Sequence, residues 1–219
     1  MQKNPCSILV CFAVKEEAAF AWPLPPVSGG REMLVTGMGR RNASTRFRDA
    51  LESMQPQRVL TCGFAGGLDP ELGIGDLLFD QDFDAGFGSA LLGLGARQGT
   101  FHCSTRVAVS VAEKAELRRS TGADAVEMES AVIRTLCRER GIPSATLRVI
   151  SDSALEDLPL DFNALMTSDQ RLSMWRLAGA LARRPWSIPR LLELQRNTRR
   201  AAQNLGGALH GLLAALQAP

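Results

Sequence analysis

Short apolar runs of strand length alternate along this chain with helical patterns, and glycine-rich segments follow several of the runs. These observations predict an α/β fold, a mainly parallel sheet with helices on both faces. The runs number about six, an ordinary count for such a sheet.

Ser7 to Phe12 is continuously apolar and reads as a central strand. Ala18-Ala19-Phe20 reads as a helix start, so Glu16 and Glu17 are either first-turn helix acids or side chains aimed into a crevice at a strand end. Met33 to Thr36 is a second strand. It runs through Gly37-Met38-Gly39-Arg40-Arg41 into a helix ending near Ser53, a glycine turn whose free N–H groups suit an anion. Arg40 and Arg41 face either phosphate or solvent. Arg58 to Cys62 is a third strand, and Gly63-Phe64-Ala65-Gly66-Gly67 behind it reads as a turn that lets a ligand approach the backbone. Leu77 to Phe79 is a strand, Asp80 to Arg97 a glycine-rich loop, and Thr100 to Cys103 and Arg106 to Val111 short strands. Ala112 to Arg119 is helical.

The stretch from Ala123 to Ala154 is the centre of the reading. Glu129 opens an amphipathic helix, and Asp152 follows the buried strand Ala145 to Ile150. In open α/β sheets ligands bind beyond the carboxyl ends of strands, so acids there face a crevice. The alternatives stay open: Glu129 as a first-turn helix acid, Asp152 as an N-cap, Met128 as plain core. Three helices complete the chain: Ser168 to Ala182, Ile188 to Leu194 and Thr198 to Leu216. Pro185 and Pro189 separate the first two.

Composition narrows the classes. The chain has 219 residues, 45% hydrophobic and 22% charged, with a net charge of +2, which gives no general attraction to nucleic acid. No apolar run reaches the ~18 residues of a membrane span, and the N-terminus lacks a signal-peptide cleavage pattern. The five scattered cysteines suit reduced thiols in a cytoplasm, and with two histidines they give no metal-ligand spacing. Arg171 to Arg200 carries eight arginines against one acid, Glu193. This is either a solvated helix face or, with Trp175 and Trp186, a peripheral contact with an anionic membrane.

Five ordered motifs resemble the nucleoside phosphorylase/nucleosidase family, which includes purine nucleoside phosphorylase, uridine phosphorylase and methylthioadenosine/S-adenosylhomocysteine nucleosidase. They are Thr36-Gly37-Met38-Gly39, Cys62-Gly63-Phe64-Ala65-Gly66-Gly67-Leu68, Gly75-Asp76, Val126-Glu127-Met128-Glu129-Ser130-Ala131 and Arg148-Val149-Ile150-Ser151-Asp152. The resemblance implies a three-layer α/β/α sandwich around a mixed, partly closed sheet. It also implies one domain over 1–219 with an Arg-rich helical tail from about 168. Leu158-Pro159, Leu181-Ala182-Arg183-Arg184-Pro185 and Leu191-Leu192-Glu193-Leu194 are similar to the hopanoid-associated phosphorylase branch, thought to act on adenosylhopane.

The activity implied is cleavage of the N-glycosidic bond of an adenosine-type nucleoside, with phosphate or water as co-substrate, no other cofactor, and a homo-oligomeric state. Asp152 would protonate or hydrogen-bond purine N7, which needs a raised pKa or a proton relay. Glu129 would bind the ribose hydroxyls with Met128 packed on the sugar, and Glu17 would activate water, with Glu16 the alternative one residue away. Nucleophile or phosphate would meet Gly63, Phe64, Ala65 and Gly66 with Arg40 or Arg148, and the base would lie by Val107, Ala108 and Ser151. Two departures stand out: Phe64 replaces the family's Ser or Thr, and Val107-Ala108-Val109 offers no ring to stack on a base. A rival reading is a non-catalytic nucleoside-binding or membrane-associated protein that keeps the fold.

Overall fold

The computed structural model describes residues 4–82, 85–167, 169–170 and 172–216. In chain order the elements are β1 (Asn4–Phe12), β2 (Arg31–Val35), α1 (Gly39–Ser53), β3 (Met54–Gly67), β4 (Leu77–Gln81), α2 (Gly88–Gly93), β5 (Arg97–Gln98) and β6 (Phe101–Cys103). They continue with α3 (Val111–Thr121), β7 (Ala125–Glu127), α4 (Ser130–Arg138), β8 (Ser144–Asp152), α5 (Phe162–Leu165), α6 (Met174–Arg183), a 3₁₀ turn (Pro185–Ser187) and α7 (Ile188–Ala215).

One mixed sheet runs β2-β1-β3-β8-β4-β5, with β7 paired to β3 and β6 to β7. β1, β2, β3 and β8 are mutually parallel, whereas β4 runs antiparallel to β8 and β7 antiparallel to the end of β3. The central parallel strands β1 and β8 and residues 59–63 of β3 are buried on both faces, as continuous apolar runs require, while the edge strand β2 is only half-buried. Ile8, Val10, Leu60, Cys62 and Leu147 pack with Ala201, Leu205, Leu209 and Leu212 of α7 on one face. Leu9, Cys11 and Val59 pack with Phe47 of α1 and Ile133 and Leu136 of α4 on the other. That is the three-layer sandwich the motifs imply.

Several details differ from the sequence reading, each for a local reason. Among the described residues the sheet has eight strands, because short β5, β6 and β7 extend its rim. Gly63 to Gly67 form no turn. They are the end of β3, laddered to β8 through Gly63↔Arg148 and, after an irregularity, Gly66↔Asp152. Ala18-Ala19-Phe20 starts no helix, and its backbone closes tight turns such as Ala21 N–H to Ala18 C=O at 3.0 Å. Arg106 to Val111 forms no strand, because side chains satisfy its backbone: Asn163 bridges both the N–H and C=O of Val107 at 2.9 Å. The expected glycine-rich loop contains α2 and the start of β5. The expected helix from Ser168 begins at Met174, and Ser168 and Arg171 lie outside the described residues. Ile188 to Leu216 forms one helix rather than two, since Gln195, Arg196 and Asn197 are polar but helix-compatible, and Pro189 sits in the first turn, where no N–H is needed.

Candidate active site

The parallel arrangement of β1, β3 and β8 brings their carboxyl ends together, and the acids follow. Glu17 lies five residues past β1, Glu129 two past β7, and Asp152 is the last residue of β8. All three line one cavity of about 290 Å³, together with Met38, Met128 and Phe64. Ala65, Gly66, Val107, Ala108 and Ser151 also line it. Of the residues expected there, Gly63 and Arg148 lie behind the wall, and Arg40 lies outside. Arg40 donates to the Cys103 carbonyl at 3.4 Å and lines a separate surface hollow with Arg41 and Arg46. Glu16 is on the surface.

Glu17 is 5% exposed. Its Oε2 accepts from the N–H groups of Ala13 (2.8 Å) and Val14 (3.1 Å), and its Oε1 from Phe64 N–H (2.8 Å). These bonds explain Gly63: a Cβ there would stand 2.5 Å from Glu17 Oε1. Burial raises the Glu17 pKa, against the lowering effects of Arg148 and of the three backbone donors.

Glu129 is the N-cap residue of α4, and its Oε1 accepts from Gly39 N–H at 2.6 Å. Gly39 adopts φ 80°, a conformation glycine favours, which turns its N–H towards the acid. Burial pushes the Glu129 pKa up to about 7, helped by the charges of Glu127 and Glu17 and opposed by Arg148 and the Gly39 N–H.

Asp152 is held at both oxygens. Ser151 Oγ–H donates to Oδ1 at 2.8 Å, and Lys114 Nζ lies 2.6 Å from Oδ2. Lys114 is fully buried on α3 and also donates to the Ser153 (2.6 Å) and Glu156 (3.1 Å) carbonyls. The ammonium therefore fastens the end of β8 to α3.

Sequence reasoning passed over three residues. Lys114 carried a signal, a cation three positions before Leu117 on the inward stripe of its helix. Glu127 shares its strand face with buried Ala125, and it accepts from the N–H groups of Glu129 (2.9 Å) and Ser130 (2.7 Å), from Ser130 Oγ–H (2.8 Å) and from Arg148 Nη2 (2.8 Å). Burial would raise its pKa, but Arg148 and these donors hold it below the ordinary value. Phe162 of α5 lines the cavity with Phe64, so rings are present although Val107 to Val109 supplies none. No sequence signal ties Phe162 to the cavity, since α5 is a single turn reached by a loop.

The Glu129 shift has a consequence for stability. A carboxyl with a folded pKa above its ordinary 4.5 keeps a proton that the unfolded chain has lost, so its contribution to stability falls as pH rises from about 4.5 to about 7 and stays low above that. Glu129→Gln removes this penalty. Thermal unfolding of the variant should match the parent at pH 4 and exceed it at pH 8 by up to about 3 kcal/mol, a rise of up to roughly 6–12 °C. Equal melting temperatures at pH 8 would contradict the assignment.

Four carboxylates thus meet apolar walls at the strand ends of a mixed α/β sheet, the setting of a small-molecule site at the carboxyl edge. Among the described residues no cluster of three or more His, Cys, Asp or Glu is arranged for a metal ion. The chain belongs to the phosphorylase superfamily, whose family model matches residues 28–93 and 88–182. It is 28% identical over 169 residues to the aminodeoxyfutalosine nucleosidase of Campylobacter jejuni, covering 62% of this chain and 73% of that protein. It is 27% identical over 173 residues to a 5′-methylthioadenosine/S-adenosylhomocysteine nucleosidase of Shewanella loihica, covering 63% and 75%. Among solved structures, the futalosine hydrolase of Helicobacter pylori superposes with a TM-score of 0.70 at 18% identity over 96% of this chain and 98% of that one. The Helicobacter pylori 5′-methylthioadenosine/S-adenosylhomocysteine nucleosidase with butyl-thio-DADMe-Immucillin-A gives 0.70 at 17% identity over 97% and 100%.

Proposed function

We propose that this protein hydrolyses the N-glycosidic bond of a 5′-substituted adenosine, releasing adenine. The observation that carries the reading is the buried Glu17 carboxylate bonded to Phe64 N–H. It occupies the donor a phosphate would need, and a phosphate dianion would also meet Glu127, Glu129 and Asp152. The cations expected to offset that charge lie elsewhere, Arg40 outside the cavity and Arg148 paired with Glu127, and Arg106, which does line the cavity, is paired with Glu113. A base of raised pKa beside a sugar suits removal of a proton from water.

In this reading Glu17 takes a proton from water as the water oxygen bonds to C1′. The C1′–N9 bond breaks and its electron pair goes to the purine, and Asp152 delivers a proton to N7. Lys114, in contact with Asp152, is the group through which a relay to that carboxyl would run. Glu129 receives the ribose hydroxyls, with Met128 against the sugar, and negative charge around the ring favours an oxocarbenium-like transition state. The names of the Campylobacter jejuni and Shewanella loihica relatives support nucleoside hydrolysis. Adenine release from 5′-methylthioadenosine should proceed at the same rate with and without phosphate and fall at least about a hundredfold in Glu17→Gln. A rate proportional to phosphate would replace hydrolysis by phosphorolysis.

The length of the 5′ substituent is a finer matter, and one observation favours a long apolar group such as that of adenosylhopane. Phe162, Leu194 and Thr198 line both the cavity and an outer groove walled by Phe20, Leu191 and Leu192. An alkyl chain leaving the cavity would bury apolar surface along this groove, at ~0.8 kcal/mol per methylene. Across 5′-alkylthioadenosines, kcat/KM should rise with chain length by roughly tenfold or more from methyl to octyl. A flat series would remove the groove from substrate recognition.

A further inference from the structure

We propose that the helical tip formed by α6, the 3₁₀ turn and the first half of α7 docks on an anionic lipid bilayer. Helix α6 and the 3₁₀ turn lie outside the catalytic cavity, which α7 reaches through Leu194 and Thr198, and the proposal does not depend on the reaction carried out there. Helix α6 has no buried residue, although its apolar and polar side chains segregate strongly. Such a helix gains little from the core of its own chain, and the tip holds apolar side chains in water: Trp175 and Met174 on α6 are 90% and 67% exposed, and Trp186 in the 3₁₀ turn is 72% exposed. Lone exposed apolar residues need no explanation, but two tryptophans and a methionine in thirteen consecutive residues do.

The charge around them selects the partner. Residues 172–200 hold seven arginines and one acid, while the net charge of the whole chain is only +2, so the remainder is net acidic. The side chains of Arg183, Arg184, Arg196 and Arg200 make no hydrogen bond or ion pair among the described residues. Trp175 shares a surface hollow with Arg176, Arg183 and Arg184. Indole rings and long aliphatic stems ending in guanidinium groups suit the boundary between headgroups and acyl chains, where the ring is buried and the cation meets phosphate. A nucleic acid or an acidic protein surface would meet the arginines but leave Met174 in water. No helix among the described residues is long and apolar enough to cross a membrane, so the contact lies in the surface plane.

Flotation of the full chain with vesicles tests this. Phosphatidylcholine vesicles containing phosphatidylglycerol should carry the protein, pure phosphatidylcholine should carry far less, and raised salt should release it. Arg183→Glu with Arg184→Glu should lower the bound fraction at least about tenfold, and Trp175→Ala with Trp186→Ala should lower it comparably. Both pairs should keep the parent melting temperature and the parent turnover of a soluble nucleoside. Tryptophan emission of the parent should shift to shorter wavelength on the anionic vesicles. Three results would each overturn the proposal: no flotation with anionic vesicles at low salt, equal flotation of folded variants and parent, or a parent dimer that the Trp pair dissociates, which would assign the surface to a second copy of the chain.

Discussion

Asp152→Asn should lower kcat for adenine release by about 10²–10⁴ while leaving substrate affinity within a few fold. The substitution keeps the size of the side chain and its place opposite Gly66 at the end of β8, and removes only the acid. It also strands Lys114. With the carboxylate gone, the buried ammonium has neutral acceptors alone, the Ser153 and Glu156 carbonyls and the new amide oxygen, and the lost charge pairing costs roughly 3 kcal/mol. Activity and melting temperature should therefore fall together in the single variant. Adding Lys114→Met to Asp152→Asn separates the two effects: the melting temperature should recover because no unpaired buried charge remains, and turnover should stay at the level of the single variant. If the double variant regained turnover, the loss would have been structural and Asp152 would have no part in breaking the bond. Undiminished turnover in Asp152→Asn would have the same meaning.

The fold was largely legible because its signals are local. Continuous apolar runs of strand length such as Ser7 to Phe12 and Ala145 to Ile150 have one economical use in an α/β fold, a strand covered on both faces, and both are such strands. The placement of two of the acids was legible for a related reason: parallel strands must align their carboxyl ends, so Asp152 and residues beyond β1 had to converge, whereas Glu129 follows β7, which runs antiparallel to the end of β3, and no such rule announced it. What escaped were matters of partnership. Arg40 and Arg148 are equally cationic in the sequence, but only coordinates show one on the surface and the other behind the cavity wall. The glycines of Gly63 to Gly67 read as a turn because glycine permits turns. Their use here is to leave room, since the Glu17 carboxylate fills the space a side chain at 63 would need. Phe162 arrives from a one-turn helix far along the chain, and the pairing of Lys114 with Asp152 joins residues 38 positions apart.

Arg148→Met should be the most destabilising single change near the cavity, because one guanidinium serves three buried acids. Burial by itself would lower the Arg148 pKa, and Glu127, Glu17 and Glu129 more than offset that, so the side chain stays charged at every accessible pH. Among the described residues it bonds directly only to Glu127, at 2.8 Å, and its Nε and Nη1 have no hydrogen-bond partner. Its effect on Glu17 and Glu129 is thus through the field, lowering the pKa of each against burial. Methionine nearly preserves the volume and removes the charge. Breaking a buried pair in this way costs about 3–5 kcal/mol, a fall in melting temperature of roughly 6–20 °C for a chain of this size. The pH dependence identifies the cause. Without the cation the three carboxyls take up protons more readily in the folded state, so the deficit should be smaller at acid pH, where Glu17 and Glu129 with their raised pKa values are protonated in the parent as well, and should grow towards pH 8. Glu127→Gln in the Arg148→Met background should recover part of the loss, because it removes the acid left without its direct partner, whereas the same change alone should destabilise. A deficit independent of pH, or a double variant no better than Arg148→Met, would mean that packing rather than charge is what Arg148 supplies.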